Sequence, residues 1–147
     1  MILSAQQLFS DDQAITATAI STNVIDLGVA GTPFGAVAAL NQDVGKGAKI
    51  PILVQITEDF THGTSADLTI TVEASAASGL TSPVVLAEET IAFADLVAGK
   101  MMFNQVVPDG ADLRYLGVRY TSSSGSFTGG KVTAGITMGN QTNITGA

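Results

Sequence analysis

Residues Leu68–Ser75 read LTITVEAS. Leu68, Ile70 and Val72 alternate with Thr69, Thr71 and Glu73, which makes one side of the segment apolar and the other polar. A period of two is the side-chain period of a β-strand with one buried face. The pattern recurs along the chain. It is present in Gln13–Ile20 (QAITATAI), in the short Asn23–Leu27, and in Ile50–Glu58, where Ile50, Ile52, Val54 and Ile56 share a face. It returns in Val84–Phe93, with a break expected near Glu88-Glu89, and in Lys100–Val107. Leu113–Thr121 carries Leu116, Val118 and Tyr120 as its apolar set, and Lys131–Met138 directs Val132, Ala134, Ile136 and Met138 inward.

Turn-forming clusters separate these runs: Gly45-Lys46-Gly47, His62-Gly63-Thr64, Ser82-Pro83, Pro108-Asp109-Gly110 and residues 122–130. Only Ala92–Gly99 suits a helical turn, with Asp95 early and Gly99 as the stop. Eight or nine short strands at this spacing predict an all-β chain. The expected fold is a jelly-roll sandwich of about eight antiparallel strands, forming one domain over residues 1–147. Two features fall outside the strand pattern. The N-terminal residues Ile2–Phe9 read as an extended segment, and residues 28–49 form a long loop with neither strand nor helix pattern. Loops of that length are uncommon inside compact domains unless they carry function.

Candidate chemistry is sparse. Asp11-Asp12 invites a metal reading, but adjacent side chains on an extended chain point to opposite sides, and a hard cation needs several converging oxygens. Ser10-Asp11-Asp12 fits a bend better, because short polar side chains bond to nearby backbone. The single histidine, His62, lies in EDFTHGTSADL between two strong strands, with Ser65, Asp59 and Asp67 nearby in sequence. No G-x-S-x-G elbow accompanies it, so a solvated loop residue is expected. Glu88-Glu89 and Glu58-Asp59 invite a glycoside-hydrolysis reading, but that chemistry needs two carboxyls about 5 to 10 Å apart across a cleft lined for sugar. With no Trp and two Tyr, the chain has little from which to build a sugar platform. Gly45-Lys46-Gly47-Ala48-Lys49 lacks the spacing of a phosphate loop and leads into a strand. The reading is therefore non-enzymatic, with no catalytic residues, no cofactor and no metal.

Charge narrows the partners. Thirteen acids against six scattered bases give −7, which disfavours nucleic acid, whose binding depends on Lys and Arg at phosphates. No apolar run is long enough to span a membrane, and Val29–Leu40 is broken by Gly31, Pro33 and Gly35. The opening MILSAQQLFSDD lacks the basic start and apolar core of a signal peptide, so synthesis in the cytoplasm is expected. Cys is absent, which excludes disulfides and thiol chemistry. Only 13% of residues are charged, where about a quarter is typical. Such a surface suits a chain that packs against other chains.

Three blocks carry a family resemblance. MILSAQQLFSDDQAITATAISTNVIDLG, LNQDVGKGAKIPILVQITEDF and RYLGVRYTSSSGSFTGGKVTAGITM resemble, in order and spacing, the capsid cement proteins of tailed bacteriophages of the Bbp16-like type. The closing block departs at Gly117, where a larger residue is expected. The resemblance implies a jelly-roll protein that decorates the outer surface of an HK97-like shell. It implies the major capsid protein as partner, self-association as a homodimer or homotrimer, and a place on the virion. Three surfaces are candidates for contact with the capsid or a sister subunit. They are an N-terminal strand with Ile2, Leu3, Leu8 and Phe9, a loop with Phe34, Val37 and Leu40, and acidic positions including Asp11, Asp12, Asp43, Glu58 and Asp59. A carbohydrate- or receptor-binding module of a phage tail or fibre is the alternative.

Overall fold

The computed structural model describes residues 3–40, 43–47 and 49–138. The strands are β1 (Leu3–Ala14), β2 (Ala19–Ile20), β3 (Ile25–Asp26), β4 (Pro51–Thr61), β5 (Leu68–Ser75), β6 (Val84–Ile91), β7 (Met101–Val106), β8 (Tyr115–Ser122) and β9 (Gly129–Thr137). They form two antiparallel sheets. One has the order β1-β9-β4-β7; the other has β2-β8-β5-β6, with β3 also paired to β8. If β2 and β3 are taken as one interrupted strand, the pairs nest: first with last, second with seventh, third with sixth, fourth with fifth. That is a long hairpin rolled into a sandwich, the jelly roll.

The period-two pattern directs the core. On β4 and β9, Ile52, Val54 and Ile56 pair with Ile136, Ala134 and Val132 on the inner face. On β5 and β8, Ile70, Val72 and Ala74 pair with Tyr120, Val118 and Leu116. Apart from Ala74, these residues, with Phe9, Ile15, Phe60, Phe103 and Phe127, pack into one hydrophobic cluster between the sheets. Ala92–Gly99 contains a single 3-10 turn at Phe93–Asp95 that ends at Leu96, and Gly99, at φ +88°, lies in the turn that follows.

Four local expectations differ from the structure. Gln13–Ile20 is not one strand, because pairing to β9 stops at Ala14 and resumes to β8 at Ala19. Residues 15–18 carry the chain from one sheet to the other, with Ile15 buried on the way. Nor do Ile2–Phe9 and a later core strand meet at a bend. Leu3–Ala14 is a single strand whose register against β9 shifts three times. One shift leaves Asp12 as an extra residue at φ +46°, so Ser10-Asp11-Asp12 leads into a β-bulge. The irregularity of β6 is not at Glu88-Glu89 but at Leu86, which has no partner between Val85↔Glu73 and Ala87↔Val72. Met138 lies beyond the end of β9 and is 92% exposed.

Gly117 finds its reason on the outer face of the second sheet. The segment after β5 folds back so that Leu80, at φ +48°, lies over β8. A Cβ at position 117 would stand 2.7 Å from Leu80 Cδ1 and 3.1 Å from Val24 Cγ1. The missing side chain makes room for a buried leucine. The same cover buries Glu73, whose carboxylate accepts from Arg119 Nε at 2.8 Å while Arg119 Nη2 donates to the Leu80 carbonyl.

Candidate functional site

The long loop projects from one end of the sandwich. It begins at Asp26, whose carboxylate receives the Gly28 N–H at 2.8 Å and a two-point bond from Arg114. Gly28 turns the chain at φ +84°. The tip closes on itself: Leu40 N–H donates to the Gly31 carbonyl and Ala36 N–H to that of Pro33, both at 3.0 Å. These two bonds fold the tip back on itself, and its apolar side chains stand in solvent. Phe34 and Val37 are fully exposed, and Val29 and Leu40 largely so. No charged residue lies between Asp26 and Asp43 in the sequence.

The return limb is anchored. Asp43 Oδ1 accepts the Gly45 N–H at 3.0 Å and Oδ2 accepts the Gly110 N–H at 2.9 Å. The side chain of Asp43 is only 6% exposed, and these bonds, that of Gly110 first, hold its pKa below the ordinary value. Asp43 therefore ties the loop root to the turn before β8 and does not present its charge outward. Gly45 passes so close to the Pro108 carbonyl that a Cβ there would stand 1.9 Å from the oxygen.

Both loop limbs border an apolar cleft of about 510 Å³ at the mouth of the sandwich. Ile25 and Leu27 enter it from one limb, Val44 and Ile50 from the other, and Leu116 and Ile136 from the two sheets. Among the described residues, Lys49 is its one charged lining residue. The residues come from separate segments that only the roll brings together, so strand pattern alone did not reveal the cleft. The isolated Val44 in the polar stretch NQDVGKG was the one available signal.

The N-terminal candidates sit differently. Phe9 is 0% exposed, inside the core. The register shift between Leu8 and Ser10 lets the consecutive residues Phe9 and Ser10 both turn inward, where Ser10 Oγ meets Tyr120 Oη at 2.8 Å. Leu3 and Leu8 are half-buried and lie over Gly135 on the outer face of their own sheet. The free edge of β1 is also engaged, since Asn23 donates its N–H to the Phe9 carbonyl and Nδ2 to the Leu8 carbonyl. Phe9 is thus a core residue, and this stretch of β1 has no open edge for a neighbour's strand. Ile2 lies outside the described residues.

Asp12 is held within the chain. Thr57 Oγ1 donates to Oδ1 at 2.6 Å, and Lys131 Nζ is 3.5 Å from Oδ2. The Thr57 bond, helped by Lys131, lowers its pKa. Lys131 also reaches Glu58 at 2.9 Å, the main cause of its raised pKa. Asp11 is exposed. Asp59 Oδ1 accepts the Ala98 N–H, and Glu89 Oε2 accepts the Phe103 N–H. His62 is half-buried rather than solvated. Its Nδ1 accepts the Thr64 N–H, its ring meets Phe127 edge-on, and its Nε2 has no partner. Neither Ser65, Asp59 nor Asp67 bonds to it; Asp67 accepts the Phe93 N–H instead. Among the described residues no three acidic or histidine side chains cluster as metal ligands, and no helix is long and apolar enough to cross a membrane.

The sequence pattern of the Bbp16 family matches residues 9–136, from the end of the N-terminal segment to the last core strand. The chain belongs to the Bbp16 family. Membership points to a structural protein of a bacteriophage, and the match covers most of the jelly roll and the whole of the long loop. No curated protein matches the sequence.

Proposed function

We propose that this protein is a capsid cement protein: a non-catalytic jelly roll that binds the outer surface of an HK97-like shell as a homo-oligomer and stabilises it against the pressure of packed DNA. The observation that carries the reading is membership of the Bbp16 family over residues 9–136. The apolar loop and cleft support it, because a sandwich that leaves Phe34 and Val37 in water is suited to being covered by another chain.

The physical basis is linkage. A protein that binds the assembled lattice, and not its dissociated subunits, stabilises the lattice by mass action. Individual contacts are modest, but an oligomer spanning two or more capsid subunits makes each later contact intramolecular and gains avidity. Exposed acids such as Asp11, Glu58, Asp59 and Glu88 favour encounter with basic patches on the shell. The test is to mix the purified protein with undecorated shells, pellet them, and measure the rupture temperature. Co-sedimentation with a raised rupture temperature is expected. Shells that pellet without the protein, in both expanded and unexpanded forms, would refute the reading.

A further inference from the structure

We infer that Asp109-Gly110 is a site of spontaneous main-chain modification. Asp109 isomerises to isoaspartate through a succinimide, Asp43 restrains the step, and its completion detaches the returning limb of the loop from the turn before β8. This goes beyond the cement reading and does not depend on it.

The chemistry needs only two adjacent residues and water. The Gly110 nitrogen attacks Cγ of the protonated Asp109 carboxyl. An N–Cγ bond forms, the Cγ–OH bond breaks, and the hydroxyl leaves as water with the amide proton. Water then adds to the five-membered ring at either carbonyl. Attack at Cγ restores aspartate. Attack at the main-chain carbonyl carbon breaks its bond to Gly110 and leaves the chain running through Cβ and Cγ, with no net change in mass. A Cβ on the second residue crowds the ring, and glycine has none. Of the aspartates and asparagines in the chain, Asp109 alone is followed by glycine.

The structure supplies access and a restraint. Asp109 is exposed, in a turn between β7 and β8 that belongs to neither sheet, with Gly110 at φ +95°. Water therefore reaches the carboxyl, and no strand ladder holds the peptide. The restraint is the bond from the Gly110 N–H to Asp43 Oδ2 at 2.9 Å. The nitrogen must give up that bond to attack. Asp43 is not free to follow it, since its side chain is buried and its Oδ1 holds the Gly45 N–H.

The same contacts make the product consequential. Val44 donates its N–H to the Ala111 carbonyl, and a Cβ at Gly45 would meet the Pro108 carbonyl and the Asp109 nitrogen. Residues 43–45 thus lie directly on residues 108–111. Isoaspartate puts one more carbon into the main chain in the middle of that contact. The Gly110 N–H and the Pro108 carbonyl then cannot both keep their places against Asp43 and Gly45, and the limb comes away.

The experiment uses the full chain. Wild type is held in warm, neutral buffer, folded and in urea, and isoaspartate is located and quantified over time by peptide mapping. Asp43→Ala, Asp26→Asn and Asp109→Glu are aged beside it. Asp26→Asn loosens the other limb of the loop without touching Gly110, and Asp109→Glu keeps the charge but would need a six-membered ring. Isoaspartate is expected to accumulate at position 109 in folded wild type, more slowly than in urea. Asp43→Ala should speed conversion at least about tenfold, the worth of a hydrogen bond to a charged group. Asp26→Asn should convert at the wild-type rate, and Asp109→Glu should not convert. If circular dichroism shows that Asp43→Ala does not fold, Asp43→Asn takes its place, with acceleration again expected because the charge is lost. Hydrogen exchange of the Val44 amide on aged wild type reads the detachment, and converted molecules should exchange faster. Folded wild type that stays unconverted while the urea sample converts, or that converts equally fast, would overturn the inference. So would an Asp43 variant no faster than wild type, an Asp26→Asn protein accelerated as much as the Asp43 variant, or a Val44 amide equally protected before and after conversion.

Discussion

The N-terminal strand and the long loop each carry a phenylalanine outside the clearest strand pattern, yet the fold uses them in opposite ways. Phe9 is wholly inside the sandwich, and the edge of β1 beside it is capped by Asn23. Phe34 is wholly outside, on a tip that bonds only to itself. The difference lies in the surroundings of each phenylalanine. Segment 3–14 lies along β9 and can shift register until its large side chain faces inward. Segment 28–40 pairs with neither sheet, turns at Gly28, and makes its own Leu40–Gly31 and Ala36–Pro33 bonds. An apolar residue near a strand is absorbed, and one at the tip of a closed loop is presented.

The sharpest way to break this comparison is to remove each ring in turn. Phe9→Ala should cost about 3–5 kcal/mol of stability, the usual effect of emptying a core aromatic site. Phe34→Ala should change it by no more than about 0.5 kcal/mol. Urea unfolding of the two variants beside wild type reads both values, and near-equal losses would remove the distinction. Deletion of residues 1–9 is correspondingly expected to impair folding, because it takes Phe9 with it, so failure of that truncation to bind shells would say nothing about docking.

The loop has its own internal contrast, between an anchored root and a free tip. Gly45→Ala would press a Cβ against the Pro108 carbonyl, which is backbone and cannot swing aside as a side chain would. A loss of about 2–3 kcal/mol is expected from such overpacking, and none beyond error from Gly31→Ala at the tip, where the added carbon meets open space. Thermal denaturation of the two variants is sufficient. If Gly45→Ala is as silent as Gly31→Ala, the root is no more fixed than the tip.

Much of this arrangement was legible in the sequence, and the parts that were not have physical reasons. Leu68–Ser75 is a strand with the expected bounds, and the inward sets of β4, β8 and β9 follow the alternation apart from Met138. In β4, β5 and β8 a large apolar side chain recurs at every second position over three or more repeats, so the period is unambiguous. Gln13–Ile20 alternates only Ala, Thr and Ile, a pattern too uniform to show where pairing stops and the chain crosses between sheets. The bulges of β1 were hidden because Ser-Asp-Asp serves a bend and a bulge equally well. The irregular segment holding Phe34, Val37 and Leu40 could be located from its glycines and proline. The cleft could not, because its walls come from segments far apart in the chain.

A subtler contrast concerns Ser10, the neighbour of Phe9. Its hydroxyl bonds to Tyr120, which is buried to 0% exposure. Ser10→Ala leaves that phenol short of a partner and should cost about 1–3 kcal/mol. Desolvation pushes the Tyr120 pKa well above its ordinary value of 10.0, despite the Ser10 bond. A raised folded-state pKa gives stability that is complete below the unfolded value and falls as pH rises beyond it. Unfolding midpoints should therefore decline above about pH 10, and Tyr120→Phe should reduce that decline. An unchanged alkaline slope in the variant would place the effect elsewhere.

The smallest expected effect lies at the outgoing root of the loop. Asp26 accepts two bonds from Arg114 and one from the Gly28 N–H, and the Arg114 bond is the main reason its pKa falls from 3.8 to about 2. A depressed carboxylate pKa contributes stability that is present above the unfolded value and lost as pH falls toward the folded one. The relevant window is therefore roughly pH 4 down to pH 2. Both side chains are nearly half exposed, so solvent screens the pair and its weight is small beside that of Phe9. Asp26→Asn should lower the unfolding midpoint slightly at neutral pH and leave the two proteins alike near pH 2, where the wild-type carboxylate is itself becoming protonated. A difference that persists undiminished at pH 2 would mean that Asp26 holds the loop by shape and hydrogen bonding alone. The root would then be a neutral turn, and the ion pair with Arg114 would contribute nothing to keeping the apolar tip extended.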